Sequence, residues 1–192
     1  MKSCSQPSGK YWSNPMETNM NQKTKKITVL VQFIISVAFL TGLDQWTKYL
    51  AVQHLKDQAD IPLIPNVLYL HYLENRGAAF GLFQNQFIFF GIMTVLILCA
   101  VLYVLWRMPS EKKYLLLRII CFIICAGAIG NFIDRVRLNY VVDFIYFSPI
   151  NFPVFNVADI YVVVSMALFL ISFLFFYKEE DFAFLSGKGI KK

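Results

Sequence analysis

Long stretches of this chain carry no charge, and that constrains its fold more than any other feature. Phe87–Trp106 runs twenty residues without an Asp, Glu, Lys or Arg, and Ile160–Tyr177 runs eighteen. At about 1.5 Å per residue, each block can cross the roughly 30 Å hydrocarbon core of a bilayer as a helix. Ile27–Leu43 forms a third block, broken only by Thr28, Gln32, Ser36 and Thr41. Tyr114–Ile133 forms a fourth, with Arg118 near one end, where a long side chain can snorkel to the headgroups. Buried helices of a large soluble core would need a polar face somewhere, and none of the four has one. Composition agrees: 57% of residues are hydrophobic and only 16% charged, against about 25% in soluble domains. The expectation is an all-α membrane protein with spans at about 27–50, 87–107, 114–134 and 158–177. A polar tail over 1–26, expected to be disordered over its first 22 residues, would precede them, and a basic tail over 178–192 would follow. Met20, just before Lys23–Lys26, offers an alternative start.

Orientation follows from where the basic residues fall. Four spans put both termini on one side, and that side collects thirteen of the 18 Lys and Arg. The other five are Lys48, Lys56, Arg76, Arg135 and Arg137, in company with seven of the twelve acids. Both termini are therefore expected in the cytoplasm. The net charge of +6 then reads as a topology signal and an attraction to anionic lipid. It does not read as nucleic-acid binding, because the cations are scattered with no reading module among them. Cys99, Cys121 and Cys125 fall inside spans as small apolar packing residues, and the two histidines form no cluster with them. No metal and no cofactor is expected.

Seven carboxylates remain on the side opposite the termini. Asp57 and Asp60 lie in ordinary loop sequence and read as solvated surface charge. Asp44 and Lys48, four apart, share a helical face at the outer end of the first span and read as an ion pair. Glu74 has Arg76 nearby. Asp134 lies three residues after Asn131, on one face of the third span and next to Arg135, a placement suited to a polar network between helix and loop. Asp143 differs, because Val141-Val142-Asp143-Phe144-Ile145 gives it no local partner. Asp159 opens the fourth span, and with Asn156 as N-cap it occupies the first turn, where free N–H groups favour an ionised carboxylate. Two carboxylates from one loop at one membrane edge cannot both ionise comfortably if they meet. Sharing a proton is the arrangement of an aspartyl protease.

These residues also carry a resemblance. Asp44-Gln45-Trp46-Thr47-Lys48, Asn75-Arg76-Gly77-Ala78-Ala79-Phe80-Gly81, Gly130-Asn131-Phe132-Ile133-Asp134-Arg135, Val141-Val142-Asp143-Phe144 and Phe155-Asn156-Val157-Ala158-Asp159 occur in the order seen in lipoprotein signal peptidases (signal peptidase II). Each motif is weak alone, and five in order between spans are specific. The likeness covers about residues 27–177. It implies four transmembrane helices with a small extracytoplasmic β-cradle, in keeping with Ile61–Leu73, which reads as one or two short strands. It implies Asp143 and Asp159 as the catalytic dyad. Asp44, Lys48, Asn75, Arg76, Gly77, Asn131, Asp134, Arg135, Asn156 and Ala158 would then support the site or bind substrate. The implied reaction removes the signal peptide of a diacylglyceryl-modified prolipoprotein just before its lipidated cysteine. The implied setting is the bacterial cytoplasmic membrane, with the active site near the outer face and the protein monomeric. The long polar N-terminus and the short link between the two aspartates depart from the usual pattern.

Rival readings are weaker. A small transporter or channel subunit would place acids in mid-span, and here they lie at span ends. An inert scaffold leaves the clustered Asn and Asp unexplained. A presenilin-type protease needs a Gly-x-Gly-Asp motif, which is absent, and a Ser–Lys protease finds Lys48 already opposite Asp44.

Overall fold

The computed structural model describes residues 15–77 and 87–186. It contains α1 (Pro15–Leu55), β1 (Ile61–Ile64), β2 (Leu68–Asn75), α2 (Phe87–Arg107), α3 (Leu115–Leu138), β3 (Val141–Phe147) and α4 (Val157–Phe175). Short 3-10 turns sit at Lys112–Tyr114, Ser148–Ile150 and Glu179–Leu185. Among the described residues, four helices are long and apolar enough to cross a bilayer. Most of their large side chains point outward: Phe39, Ile88, Trp106, Val163 and Phe175 are all exposed, as a lipid-facing surface requires.

α3 is the central helix and packs against α1, α2 and α4. Its inner face is built from small residues, Cys121, Cys125, Ala126, Gly127 and Gly130, which let neighbouring backbones approach. A β-carbon at Gly127 would stand 2.6 Å from the Ala158 carbonyl oxygen, and one at Gly130 would stand 2.5 Å from Asp44 Oδ2. Both glycines are there because another chain segment occupies that space.

Two bounds differ from the sequence expectation. α1 spans 41 residues, from Pro15 to Leu55, so residues 15–22 of the stretch expected to be disordered are helical. Once a stable membrane helix exists, good formers such as Met16, Glu17, Gln22 and Lys23 extend it at one hydrogen bond per residue. In the C-terminal tail, Glu179–Leu185 folds back as a 3-10 helix. Tyr114 Oη donates to the Asp181 carbonyl at 3.0 Å, Arg107 Nε donates to that of Phe184 at 3.0 Å, and Lys113 pairs with Asp181. Arg118 is only 9% exposed, and its guanidinium turns toward the helix end, to the carbonyls of Glu111 and Tyr114.

At the end of the bundle away from the termini lies a three-stranded antiparallel sheet, ordered β1-β2-β3. The sequence expectation contains no strand at β3. Its Val-Val-Asp-Phe-Ile-Tyr-Phe run is rich in β-branched and aromatic residues, and β2 is its partner: Leu73 faces Asp143 and Asn75 faces Val141. Strand alternation then separates two faces. Val142 and Phe144 pack on Ala51 and Leu55 of α1, so Val141 and Asp143 point the other way, into the cleft above α3 and α4. The link from α3 to β3 is two residues long. Asn139, in the left-handed region at φ 64°, caps α3 by donating to the Arg135 carbonyl at 3.1 Å and turns the chain sharply.

Candidate active site

Asp143 and Asp159 arrive from different elements and meet in one hydrogen-bond network. α4 begins with a capping box: the Asn156 side chain accepts from Asp159 N at 3.1 Å, and Asp159 Oδ2 accepts from Asn156 N at 3.1 Å. The cap leaves the Asn156 amide free to act elsewhere. Its Nδ2 donates to Asp143 Oδ1 at 2.6 Å and to Asn131 Oδ1 at 3.1 Å. Asn131 in turn donates to Asp159 Oδ1 at 2.8 Å. Asn75, at the end of β2, donates to Asp143 Oδ2 at 2.8 Å, and its own carbonyl oxygen accepts from Gly77 N at 2.9 Å. Each carboxylate oxygen thus has one protein donor and retains acceptor capacity for a further partner.

Asp143 is 1% exposed, and Asn156 is fully buried. Burial foremost, and then the negative charge of Asp159, push the Asp143 carboxyl up to about 7, against the weaker opposing pull of the two amide donors and Lys48.

Behind this layer sits a buried charge cluster. Lys48 Nζ reaches Asp44 Oδ2 at 3.0 Å, Asp134 Oδ2 at 3.0 Å and Asn131 Oδ1 at 2.8 Å, using all three ammonium donors. Asp44 Oδ1 accepts from Ala158 N at 2.9 Å, which ties α1 to the first turn of α4. Asp134 Oδ2 accepts from Val142 N at 3.1 Å, which ties α3 to β3. Gln45, part of the first motif but not among the expected site residues, donates to Asp134 Oδ1 at 2.8 Å and to the Gly130 carbonyl at 3.2 Å. Gly130 was likewise missed, and its signal is the glycine next to Asn131 on a helix with no turn to make. The cluster therefore fixes the elements that carry Asp143, Asp159 and Asn131.

Arg135 and Arg76 have different places. Arg135 donates to the Asn131 carbonyl at 3.2 Å, lays its guanidinium 4.5 Å from the Phe90 ring centre, and lines the cleft. Arg76 is exposed and turns aside to Glu74 at 3.4 Å and to the face of Tyr140. It is not brought to the carboxylates. Glu74 also pairs with Lys56 at 3.1 Å, and Asp60 pairs with His71 at 2.7 Å, away from the network. Ala78, Ala79, Phe80 and Gly81 of the second motif lie outside the described residues.

Above the carboxylates opens a cleft of about 530 Å³. Its polar floor is Asn75, Asn131, Asp143 and Asp159, and its walls include Phe152, Ile160 and Val163. Among the described residues, no three His, Cys, Asp or Glu are grouped to hold a metal ion.

Fold and site together define a multi-pass membrane protein with a paired-carboxylate centre at one end of a four-helix bundle. The profile described as signal peptidase (SPase) II matches residues 21–175. A lipoprotein signal peptidase of Streptococcus thermophilus is 44% identical over 147 residues, 77% of this chain and 93% of that protein. Its counterpart in Caldanaerobacter subterraneus is 47% identical over 133 residues, 69% of this chain and 88% of the relative. A solved bacterial membrane enzyme, determined by the in meso method at 1.9 Å, superposes with a TM-score of 0.65 at 33% identity, covering 76% of this chain and 94% of its own. The chain belongs to the signal peptidase II family, and it is a membrane protease of lipoprotein processing.

Proposed function

We propose that this protein is an aspartic endopeptidase that cuts diacylglyceryl-modified prolipoproteins immediately before the lipidated cysteine, with Asp143 and Asp159 as its catalytic pair. One observation carries the reading: two carboxylates from separate elements are held by shared asparagines at the floor of an apolar cleft at the bundle end. The cleft walls suit an apolar signal segment and a diacylglycerol, and holding both would place the scissile bond over the carboxylates. The family membership supports the substrate class.

The two acids divide the work by their surroundings. Asp159 sits in the first turn of α4, its Oδ1 accepting from Asn131 and its Oδ2 from the Asn156 backbone N–H, and opens on the cleft where a water can reach it. Asp143, raised toward neutrality, keeps the shared proton. Asp159 takes a proton from water as the oxygen attacks the scissile carbonyl carbon, while Asp143 donates its proton to the carbonyl oxygen. Collapse of the tetrahedral intermediate returns that proton to Asp143. Asp159 delivers its proton to the leaving cysteine nitrogen as the C–N bond breaks. The products are a signal peptide with a new carboxyl terminus and a lipoprotein with a free α-amine. Asp44 and Asp134 are paired with Lys48 at the same end of the bundle as Asp143 and Asp159, an arrangement that favours a fixed site over a path of acids through the bilayer.

The Lys and Arg bias supports cytoplasmic termini, with the carboxylate end facing outward. The test of the whole reading is cleavage of a synthetic diacylated prolipoprotein peptide by purified protein. The wild type is expected to release the signal peptide, and Asp143→Asn and Asp159→Asn proteins are expected to fold and leave the peptide intact. Substantial turnover by either variant overturns the dyad.

A further inference from the structure

The end of the bundle opposite the carboxylates holds a second cavity, of about 430 Å³, between α1, α2 and the start of α3. Its apolar floor includes Ile27, Leu30, Phe33 and Leu105, and its rim carries Lys23, Lys26 and Arg118. No acid lines it. Arg118 is the telling residue. It is nine-tenths buried, and Nε and Nη2 donate to the neutral carbonyls of Tyr114 and Glu111. Among the described residues, none of Lys23, Lys26 and Arg118 has a carboxylate within ion-pair distance. A buried guanidinium without a counter-ion is costly, and an anion in the cavity would offset that cost. Trp106, with Lys26 Nζ 5.1 Å from its ring centre, marks the level of the membrane–water interface.

We infer that this cavity is a binding site for one anionic phospholipid of the leaflet on the terminus side. The phosphate would lie among Lys23, Lys26 and Arg118, and an acyl chain would run down the Ile27, Leu30 and Phe33 face. Charge complementarity selects the occupant: three cations without an acid favour an anionic headgroup, and a floor this apolar favours an attached chain over a free phosphate. Bound there, the lipid would bridge α1 to α2 and α3 at the end that the polar network does not reach.

The test is native mass spectrometry of the full-length protein released from detergent with phosphatidylglycerol or phosphatidylcholine. Wild type is expected to retain one phosphatidylglycerol at least tenfold more strongly than phosphatidylcholine. The Lys23→Gln/Lys26→Gln double variant should lose about tenfold or more of that retention, in line with the worth of two cations near an anionic surface. Arg118→Gln should lose at least as much, and if it fails to fold the lysine pair decides. A Lys112→Gln/Lys178→Gln control, at the same end but outside the cavity, should retain the lipid as wild type does. Equal retention of the two lipids, or equal loss in the control, overturns the site, because diffuse surface charge would then explain the binding. Displacement of the lipid by millimolar inorganic phosphate alone overturns the acyl-chain part. Peptide cleavage in detergent should be unaffected by the lysine pair.

Discussion

Asn156 does three things with one side chain: it caps α4, it holds Asp143, and through Asn131 it is joined to Asp159. Substitutions can separate these roles. Asn156→Ser keeps an N-cap oxygen and loses the amide donor, so cleavage should fall by about 10²-fold or more with little change in thermal stability. Asn156→Ala also loses the cap and should cost a further ~1 kcal/mol in a melting assay. Comparable turnover by Asn156→Ser and wild type would show that the amide does not position Asp143. At Asp143 the raised carboxyl has consequences of definite sign. Activity that needs this proton should decline as pH rises through about 7, and the apparent constants belong to the coupled pair. Stability moves the same way. The folded state holds the proton from the ordinary value of 3.8 up to about 7, so ionisation destabilises the fold as pH rises through that window. Asp143→Asn should therefore gain thermal stability relative to wild type between pH 4 and pH 7.5. A constant difference across that range would remove the buried-proton argument. Asp143 and Asp159 were legible in the sequence as lone carboxylates in apolar runs. Gln45 and Gly130 were not, because a glutamine at a span end and a glycine in a membrane helix have ordinary explanations until the partner is seen.

At the scale of elements, the charge-free blocks located the four helices, because a membrane span announces itself by what it lacks. β3 escaped notice: seven residues with one acid form a strand only because β2 offers a hydrogen-bonded partner, and pairing is not local information. The cluster of Asp44, Lys48 and Asp134 joins α1, α3, α4 and β3, and it is buried on every side. Asp44→Asn leaves Lys48 matched by Asp134 but sets an amide NH2 against either the Lys48 ammonium or the Ala158 N–H, so a buried donor loses its acceptor; stability should fall by ~1–3 kcal/mol and the amount of protein in the membrane should drop. Turnover per folded molecule should fall less. A normally accumulating, fully folded Asp44→Asn protein without activity would move Asp44 into the catalytic centre. Gly127→Ala tests the helix contact itself. Its β-carbon would meet the Ala158 carbonyl, a backbone atom that cannot rotate away, so α4 must shift and carry Asp159 with it. Activity and melting temperature should drop together.

For the molecule as a whole, the two ends of the bundle have opposite characters, and the bilayer enforces the difference. One end gathers Asp44, Asp134, Asp143, Asp159 and the sheet around the carboxylate-floored cleft, while among the described residues the other holds Lys23, Lys26, Arg107, Lys112, Lys113, Arg118 and Lys178. Between them the surface is apolar and faces lipid, so neither end can migrate through the bilayer. On the orientation proposed above, the asymmetry would set the direction of insertion through the Lys and Arg of the short connections, chiefly Arg107, Lys112 and Lys113 between α2 and α3. Reporter fusions should then report Lys112 as cytoplasmic and Asp57 as extracytoplasmic. The same logic yields a stronger test. Replacing Lys112 and Lys113 by Gln and adding two Lys after Asp57 would weaken the bias from both sides, so a fraction of molecules should insert inverted. Those molecules would carry the carboxylates on the cytoplasmic side, away from exported substrate, and processing in cells should fall in proportion to the inverted fraction. The same protein, purified in detergent, should cleave the peptide at the wild-type rate, because detergent removes sidedness and leaves Asp143 and Asp159 untouched. An extracytoplasmic reading at Lys112 in the unaltered protein would reverse the orientation, and with it the assignment of the cleft to the outer face.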